Sequence, residues 1–177
     1  MPMKAWMRLP ARRVAFFSVF LGLALILSYV ESQIPVFGGM PGMKLGLSNL
    51  IVVYCLYGIT ARTAFIINIA RILLAGFMFG SPYSLAYSLC GGIASFIIMY
   101  LLKKTGIFSI FGISMAGGIF HNLGQLTVAV FLLNNYRIFY YAPVLMMGGC
   151  ATGFLIGYLA DILLKRLKGF RGNDSFS

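Results

Sequence analysis

The sequence has almost no acidic residues, with three Asp and Glu among its 177 residues. No two of them are adjacent, and magnesium-dependent diphosphate chemistry needs several carboxylate oxygens held close together. The Gly-x4-Gly-Lys-Ser/Thr loop that binds nucleotide phosphates is absent as well. We therefore expect no catalytic residues and no nucleotide site in this chain, and we expect that it is not an enzyme.

Cysteine and histidine are also scarce. The three cysteines, Cys55, Cys90 and Cys150, fall inside apolar runs at wide spacing, and the chain has a single histidine. This spacing favours neither a disulfide framework nor a metal site. We expect thiols that pack in the interior, with no metal site and no resident cofactor.

Long apolar runs make up most of the chain, which is 60% hydrophobic with a mean hydropathy of +0.94. A helix crosses the membrane in about 20 residues, and apolar runs of this length favour helices over barrel strands. The sequence thus predicts an all-α membrane protein, with one six-helix transmembrane domain at 1–168 and a disordered cytoplasmic tail at 169–177. The predicted helices are Arg13–Ser32, Lys44–Gly58, Thr60–Phe79, Tyr83–Leu102, Ile110–Leu133 and Ile138–Leu164.

The positions of the basic residues predict the orientation in the membrane. If six helices start from the cytoplasm, Lys44 and Arg137 lie outside and Arg71 lies within the membrane. The others fall on the cytoplasmic side, as the positive-inside rule requires, so both termini are expected there. The net charge of +11 is then a topology signal, and we expect membrane lipid and no nucleic acid as a partner. The cytoplasmic basic residues are Lys4, Arg8, Arg12, Arg13, Arg62, Lys103, Lys104, Lys165, Arg166, Lys168 and Arg171.

Small residues recur at four-residue spacing in three of the predicted helices. They are Ser18 and Gly22 in the first helix, Ser88 with Gly92 and Gly91 with Ser95 in the fourth, and Gly149, Gly153 and Gly157 in the sixth. Such faces let helix backbones approach closely in lipid. Two interpretations remain open: packing within this bundle, or docking of a separate membrane subunit on the first or the sixth helix.

A short set of polar residues falls at membrane depth, where each costs a few kcal/mol without a partner or a water-filled cavity. Asn68 and Arg71 are three residues apart, and His121 and Gln125 are four apart, so each pair shares a helix face. Together the set predicts a polar funnel that opens outward and binds a substrate. Its members are Glu31, Lys44, Asn49, Asn68, Arg71, Tyr87, His121, Asn122 and Gln125.

Several of these residues have a structural alternative. Glu31 and Lys44 could form an interfacial ion pair that closes the outer loop Gln33–Met43. No acid is expected at the depth of Arg71, so Arg71 binds either backbone carbonyls or an anionic ligand, and Arg71→Gln should leave stability nearly unchanged or improved. A lone histidine such as His121 packs more often than it binds a metal or haem.

Four segments resemble a known family: 41–49 (PGMKLGLSN), 68–76 (NIARILLAG), 87–92 (YSLCGG) and 118–125 (GIFHNLGQ). From about Leu27 to Phe131 the chain is similar to the "Gx transporter" or "heptaprenyl diphosphate synthase component I" family. That family in turn resembles the S components of energy-coupling factor (ECF) transporters. The resemblance implies a six-helix protein that captures vitamins or cofactors at the outer face. It further implies a transmembrane coupling subunit and two cytoplasmic ATPases as partners, with Ser18 and Gly22 at the contact with the coupling subunit.

We therefore expect an S component of the bacterial cytoplasmic membrane that captures a vitamin- or cofactor-like molecule for ATP-driven uptake. A flavin, a haem and an isoprenoid-linked compound are the candidate substrates. The first alternative is a membrane subunit of a redox or prenyl/quinone enzyme complex, in which His121 binds a cofactor. The second is an autonomous oligomeric facilitator that self-associates through its glycine faces.

Overall fold

The computed structural model describes residues 10–33 and 46–172, and these ranges contain helices and no strand. The prediction of an all-α membrane protein is confirmed. A short 3-10 helix at Tyr136–Tyr141 leads into the last of six α-helices. The α-helices are α1 (Pro10–Gln33), α2 (Asn49–Gly58), α3 (Ala61–Phe79), α4 (Pro82–Thr105), α5 (Ile110–Leu133) and α6 (Ala142–Gly172).

Five of these helices are long and apolar enough to cross a membrane: α1, α3, α4, α5, and α6 together with the 3-10 helix. Large apolar side chains cover their outward faces, among them Phe77, Phe131 and Met147. Apolar patches of this extent suit lipid and not water. The chain is a multi-pass membrane protein.

Helix α2 is the exception, because among the described residues it is shorter than the predicted helix Lys44–Gly58. Its ten residues reach about 15 Å, half of a hydrocarbon core of roughly 30 Å. The predicted start at Lys44 lies outside the described residues, and Gly46–Ser48 form a turn instead of a helix. Gly46 has a φ of 73°, a left-handed conformation that glycine adopts without strain.

The short helix lies inside the bundle and not at its edge. Seven of its ten residues are buried, as expected of a helix that is apolar on all sides. Charges from other helices complement its dipole at both ends. The carboxylate of Glu31 accepts a hydrogen bond from the N–H of Gly46 just before α2, and Nζ of Lys103 donates to the carbonyl of Leu56 in its last turn.

The glycines of α6 pack inside this chain. A Cβ added at Gly149 would lie 2.6 Å from the carbonyl oxygen of Gly118, and one at Gly153 would lie 2.5 Å from that of Ser114. Gly157 faces the same helix, since its Cβ would approach Phe111. The face predicted to dock a partner at Gly149, Gly153 and Gly157 is therefore occupied by α5.

Several helix ends differ from the predicted ones. The predicted bounds of α5 agree with the structure, whereas α4 continues to Thr105. Helix α6 continues to Gly172, so the first residues of the predicted tail 169–177 are helical, and 173–177 lie outside the described residues. The predicted outer loop also lies outside them, except for Gln33, which ends α1.

The bundle has two ends, which we name by what lies there. At the termini end, Phe20 of α1 stacks on Tyr54 of α2, and Leu164 of α6 approaches Gly58. At the cavity end, Tyr29 of α1 contacts Phe79 at the end of α3. The start of α1 and the later part of α6 thus lie on one side of the bundle.

Candidate functional site

A cavity of about 240 Å³ lies at the cavity end, between α1, α3, α4, α5 and the turn before α2. Ile72, Ala75 and Phe79 of α3 form an apolar part of its wall. Besides three glycines, the rest of the lining is polar or charged, which is unusual at membrane depth and favours a binding site. The polar and charged side chains in the wall are Ser28, Glu31, Ser32, Ser48, Arg71, Ser84, Ser88 and His121.

Arg71 is the cation of this cavity, and three acceptors hold its guanidinium group. It lies ten residues into α3, about 15 Å from the start of that helix. Its two terminal nitrogens donate to Ser48 Oγ at 2.6 Å, Asn49 Oδ1 at 3.1 Å and Asn68 Oδ1 at 2.9 Å. Its Nε has no acceptor among the described residues. Arg71 is 6% exposed.

Glu31 approaches the same cavity from α1 and is 8% exposed. Besides the N–H of Gly46, its carboxylate accepts from Ser48 Oγ at 3.4 Å. One hydroxyl group thus joins Arg71 to Glu31, and the two charges attract each other across it. The prediction that Arg71 has no acid nearby was wrong, because the turn before α2 places Ser48 between Glu31 of α1 and Arg71 of α3.

Asn68 and Asn49 position the guanidinium group. The amide nitrogen of Asn68 donates to the carbonyl oxygen of Gly92 at 2.9 Å, so its amide oxygen is oriented toward Arg71. Asn49, the first residue of α2, provides the second amide oxygen. Through these contacts, residues of α2, α3 and α4 together set the position of Arg71.

His121 borders two cavities. It lines the main cavity and also a second, very small one of about 10 Å³ that reaches Asn122 and Thr152. Its Nε2 lies 3.2 Å from Nε2 of Gln125, one turn along α5. Asn122 donates to the carbonyl oxygen of Leu145 at 2.8 Å and so ties α5 to α6.

The structure separates the predicted site residues into groups. Glu31, Arg71 and His121 line the main cavity, and Asn49 and Asn68 hold Arg71. Asn122 and Gln125 lie beside His121 and outside the lining of the main cavity, while Lys44 lies outside the described residues. Tyr87 is half-buried on α4 and is not part of the lining either.

Sequence reasoning missed the serines of the wall. Ser28 and Ser32 are four apart on α1, and Ser84 and Ser88 are four apart on α4, so each pair shares a helix face. That spacing of hydroxyls within apolar runs was the signal available in the sequence. Ser48 gave no such signal, because its role depends on the turn at Gly46.

Comparison with known proteins gives one match. The model of a family described as "Heptaprenyl diphosphate synthase component I" matches residues 20–163, most of the chain. This coverage runs from the first half of α1 to the last third of α6 and includes the whole described wall of the cavity. No curated protein and no solved structure matches the chain.

Proposed function

We propose that this chain, which belongs to the heptaprenyl diphosphate synthase component I family, is the substrate-binding S component of an ECF-type transporter. It captures a small vitamin- or cofactor-like molecule in the cavity between Glu31, Arg71 and His121. A transmembrane coupling subunit and two cytoplasmic ATPases then drive uptake. Segments such as 118–125 resemble that family, and the resemblance of the family to S components is one line of support.

The observation that carries the proposal is the pair of buried charges in one membrane cavity. A charged side chain at membrane depth is costly and marks a pathway or ligand site more often than a packing contact. Glu31 and Arg71 come from two helices and line one space large enough for a ligand. The half-length helix α2, which starts beside Arg71, matches the interrupted helices that bind substrates in many transporters.

The orientation follows from the basic residues. Arg62, Lys103 and Lys165 belong to the termini end of the bundle, and the positive-inside rule assigns that end to the cytoplasm. The cavity then faces outward, as capture of an external substrate requires. We propose that the membrane is the bacterial cytoplasmic membrane.

The face of α1 around Ser18 and Gly22 is the proposed contact with the coupling subunit. Ser18 is exposed, and a Cβ added at Gly22 would meet no atom within 4 Å. The glycine row of α6 does not offer the same opening, because α5 covers it. Close approach of a partner helix to α1 needs small residues at such positions.

Co-expression tests the proposal. The full chain, tagged and extracted in mild detergent, should co-purify with an ECF coupling subunit and both ATPases in a fixed stoichiometry. A Gly22→Leu variant should lose these partners while keeping the elution volume and melting temperature of the isolated chain. If the wild-type chain elutes without the coupling subunit, the proposed function is wrong.

The family description favours one alternative, a membrane subunit of a redox or prenyl/quinone enzyme complex. In that case the purified chain should carry a quinone, a prenyl compound or a visible absorption band, without any ATPase. The described residues supply little for prenyl diphosphate chemistry, since among them Glu31 is the only acid in the lining of the cavity and Asp161 pairs with Lys165 at 2.6 Å elsewhere on α6. We propose that the chain is not itself an enzyme.

A further inference from the structure

The charges that line the main cavity balance each other. Among the described residues of its wall, Arg71 contributes one positive charge and Glu31 one negative charge. A ligand with only an anionic group would gain from Arg71 and be repelled by Glu31, and a purely cationic ligand would meet the reverse. The described wall therefore favours a ligand that carries both signs of charge.

The two charges are kept apart, although a direct ion pair would be the simplest way to stabilise them. Ser48 Oγ lies between them, 2.6 Å from Arg71 and 3.4 Å from Glu31. A bond of 3.4 Å is long for a hydroxyl donor, so the carboxylate oxygen that accepts it keeps most of its capacity. This separation leaves room for ligand groups that a closed ion pair would exclude.

Two polar groups of the wall have no hydrogen-bond partner among the described residues. Nε of Arg71 has no acceptor among the described residues, on a side chain that is more than nine-tenths buried and lines the cavity. Ser28 Oγ, in the wall near Glu31, likewise has no partner among them. A buried polar group without a partner is costly, and a ligand can supply the missing partners.

The size of the cavity limits the ligand. Its volume of about 240 Å³ is roughly the space of eight water molecules in the liquid and is below the usual range for drug-sized ligands, about 300–1,000 Å³. A whole flavin or haem would have to extend beyond this described space. A molecule of amino-acid size would fit within it.

From these observations we infer that the cavity binds a small zwitterion, with a protonated nitrogen at Glu31 and a carboxylate or similar anionic group at Arg71. The serines of the wall hydrogen-bond the remainder of the ligand, and the apolar side of α3 packs against its carbon atoms. This inference rests on the proposed function and names the substrate class of the same site.

Ligand binding to the isolated full chain in lipid nanodiscs tests the inference. The probes are the standard amino acids, β-alanine and γ-aminobutyrate, each compared with its N-acetyl and its C-amide derivative. Thermal shift and titration calorimetry should find at least one zwitterion that binds about ten- to a hundredfold more tightly than both of its derivatives. Small molecules that co-purify with the chain, identified by mass spectrometry, should also carry both charges.

Substitutions assign the two ends of the ligand. Glu31→Gln should weaken binding of the zwitterion about tenfold or more. It should not improve binding of the C-amide derivative, because the single charge of that derivative relies on Glu31 alone. Arg71→Gln should likewise weaken binding of the zwitterion about tenfold or more and should not improve binding of the N-acetyl derivative. Asp161→Asn and Arg137→Gln are the matched controls, since both residues lie outside the lining of the cavity. If a single change prevents folding, binding is measured on the double variant Glu31→Gln/Arg71→Gln instead, because this variant keeps the net charge of the wall at zero.

The inference is overturned if a derivative with a single charge binds as tightly as its zwitterion, or if the co-purified compound lacks one of the two charges. It is also overturned if no zwitterion either binds or co-purifies. Co-purification with the coupling subunit is scored separately. Assembly without zwitterion binding refutes the ligand class alone, and zwitterion binding without assembly refutes the proposed transporter.

Discussion

Glu31 and Arg71 face one cavity from two helices and are joined through the hydroxyl group of Ser48. The arrangement depends on the turn at Gly46, which interrupts the second predicted span and places the start of α2 beside Arg71. A short buried helix is thus what converts two isolated charges into a candidate binding site.

The charge pair should contribute to stability as well as to binding. Arg71→Gln removes the donor to Ser48 and Asn49 and leaves Glu31 without a nearby cation among the described residues, so we expect a loss of about 2–4 kcal/mol in the free energy of unfolding. Denaturation of the purified chain in detergent measures it. Glu31→Gln should lower the free energy of unfolding less in the Arg71→Gln background than in the wild-type chain, with a coupling energy of about 1 kcal/mol or more. Additive losses would contradict the link through Ser48.

The glycines of α6 and α1 should respond in opposite ways to enlargement. Gly153→Leu forces a side chain into the backbone of α5 at Ser114, and we expect destabilisation of at least about 1–3 kcal/mol. Gly22→Leu points into open space and should leave the melting temperature within the error of the measurement. A stable Gly153→Leu variant would show that α5 and α6 do not pack through this row.

Lys103 should stabilise α2 through its last turn. It donates to the carbonyl of Leu56 and lies 4.8 Å from the centre of the Tyr57 ring. Lys103→Met keeps the apolar stem and removes the charge, and we expect a loss of about 0.5–2 kcal/mol. Lys104→Met, at the exposed neighbouring position, is the matched control. Equal melting temperatures for the two variants would rule out this contribution.

The orientation can be read from single introduced thiols in a variant in which the native cysteines are replaced. Asn135→Cys, beyond the end of α5, should react with a membrane-impermeant maleimide in intact cells, because the cavity end is assigned to the outside. Thr105→Cys, at the end of α4, should react only after the cells are opened. The reverse pattern would invert the orientation and close the cavity to external substrate.

The sequence predicts most of the fold, because span length and apolar composition are local properties. Helix α5 has its predicted bounds, and the face shared by His121 and Gln125 follows from helical spacing alone. The partners of Arg71 could not be predicted in this way. Its link to Glu31 joins positions 40 residues apart through a turn, and this link reverses the expectation that Arg71→Gln would leave stability unchanged.

The glycine row of α6 illustrates the same limit. Its four-residue spacing indicates close helix approach but does not say whether the approaching helix belongs to the same chain. The structure answers this through Gly118 and Ser114 of α5, which face Gly149 and Gly153. For Ser18 and Gly22 the described residues supply no such neighbour, so their role as a contact with a partner stays a prediction.

Transport by the reconstituted assembly is the most direct measure of the proposed function. The labelled compound is the small molecule that mass spectrometry identifies on the purified chain. Proteoliposomes that contain this chain, the coupling subunit and both ATPases should accumulate it only when ATP reaches the ATPase side, and proteoliposomes with this chain alone should not. Uptake by the chain alone, or no ATP-dependent uptake by the full assembly, would contradict the account.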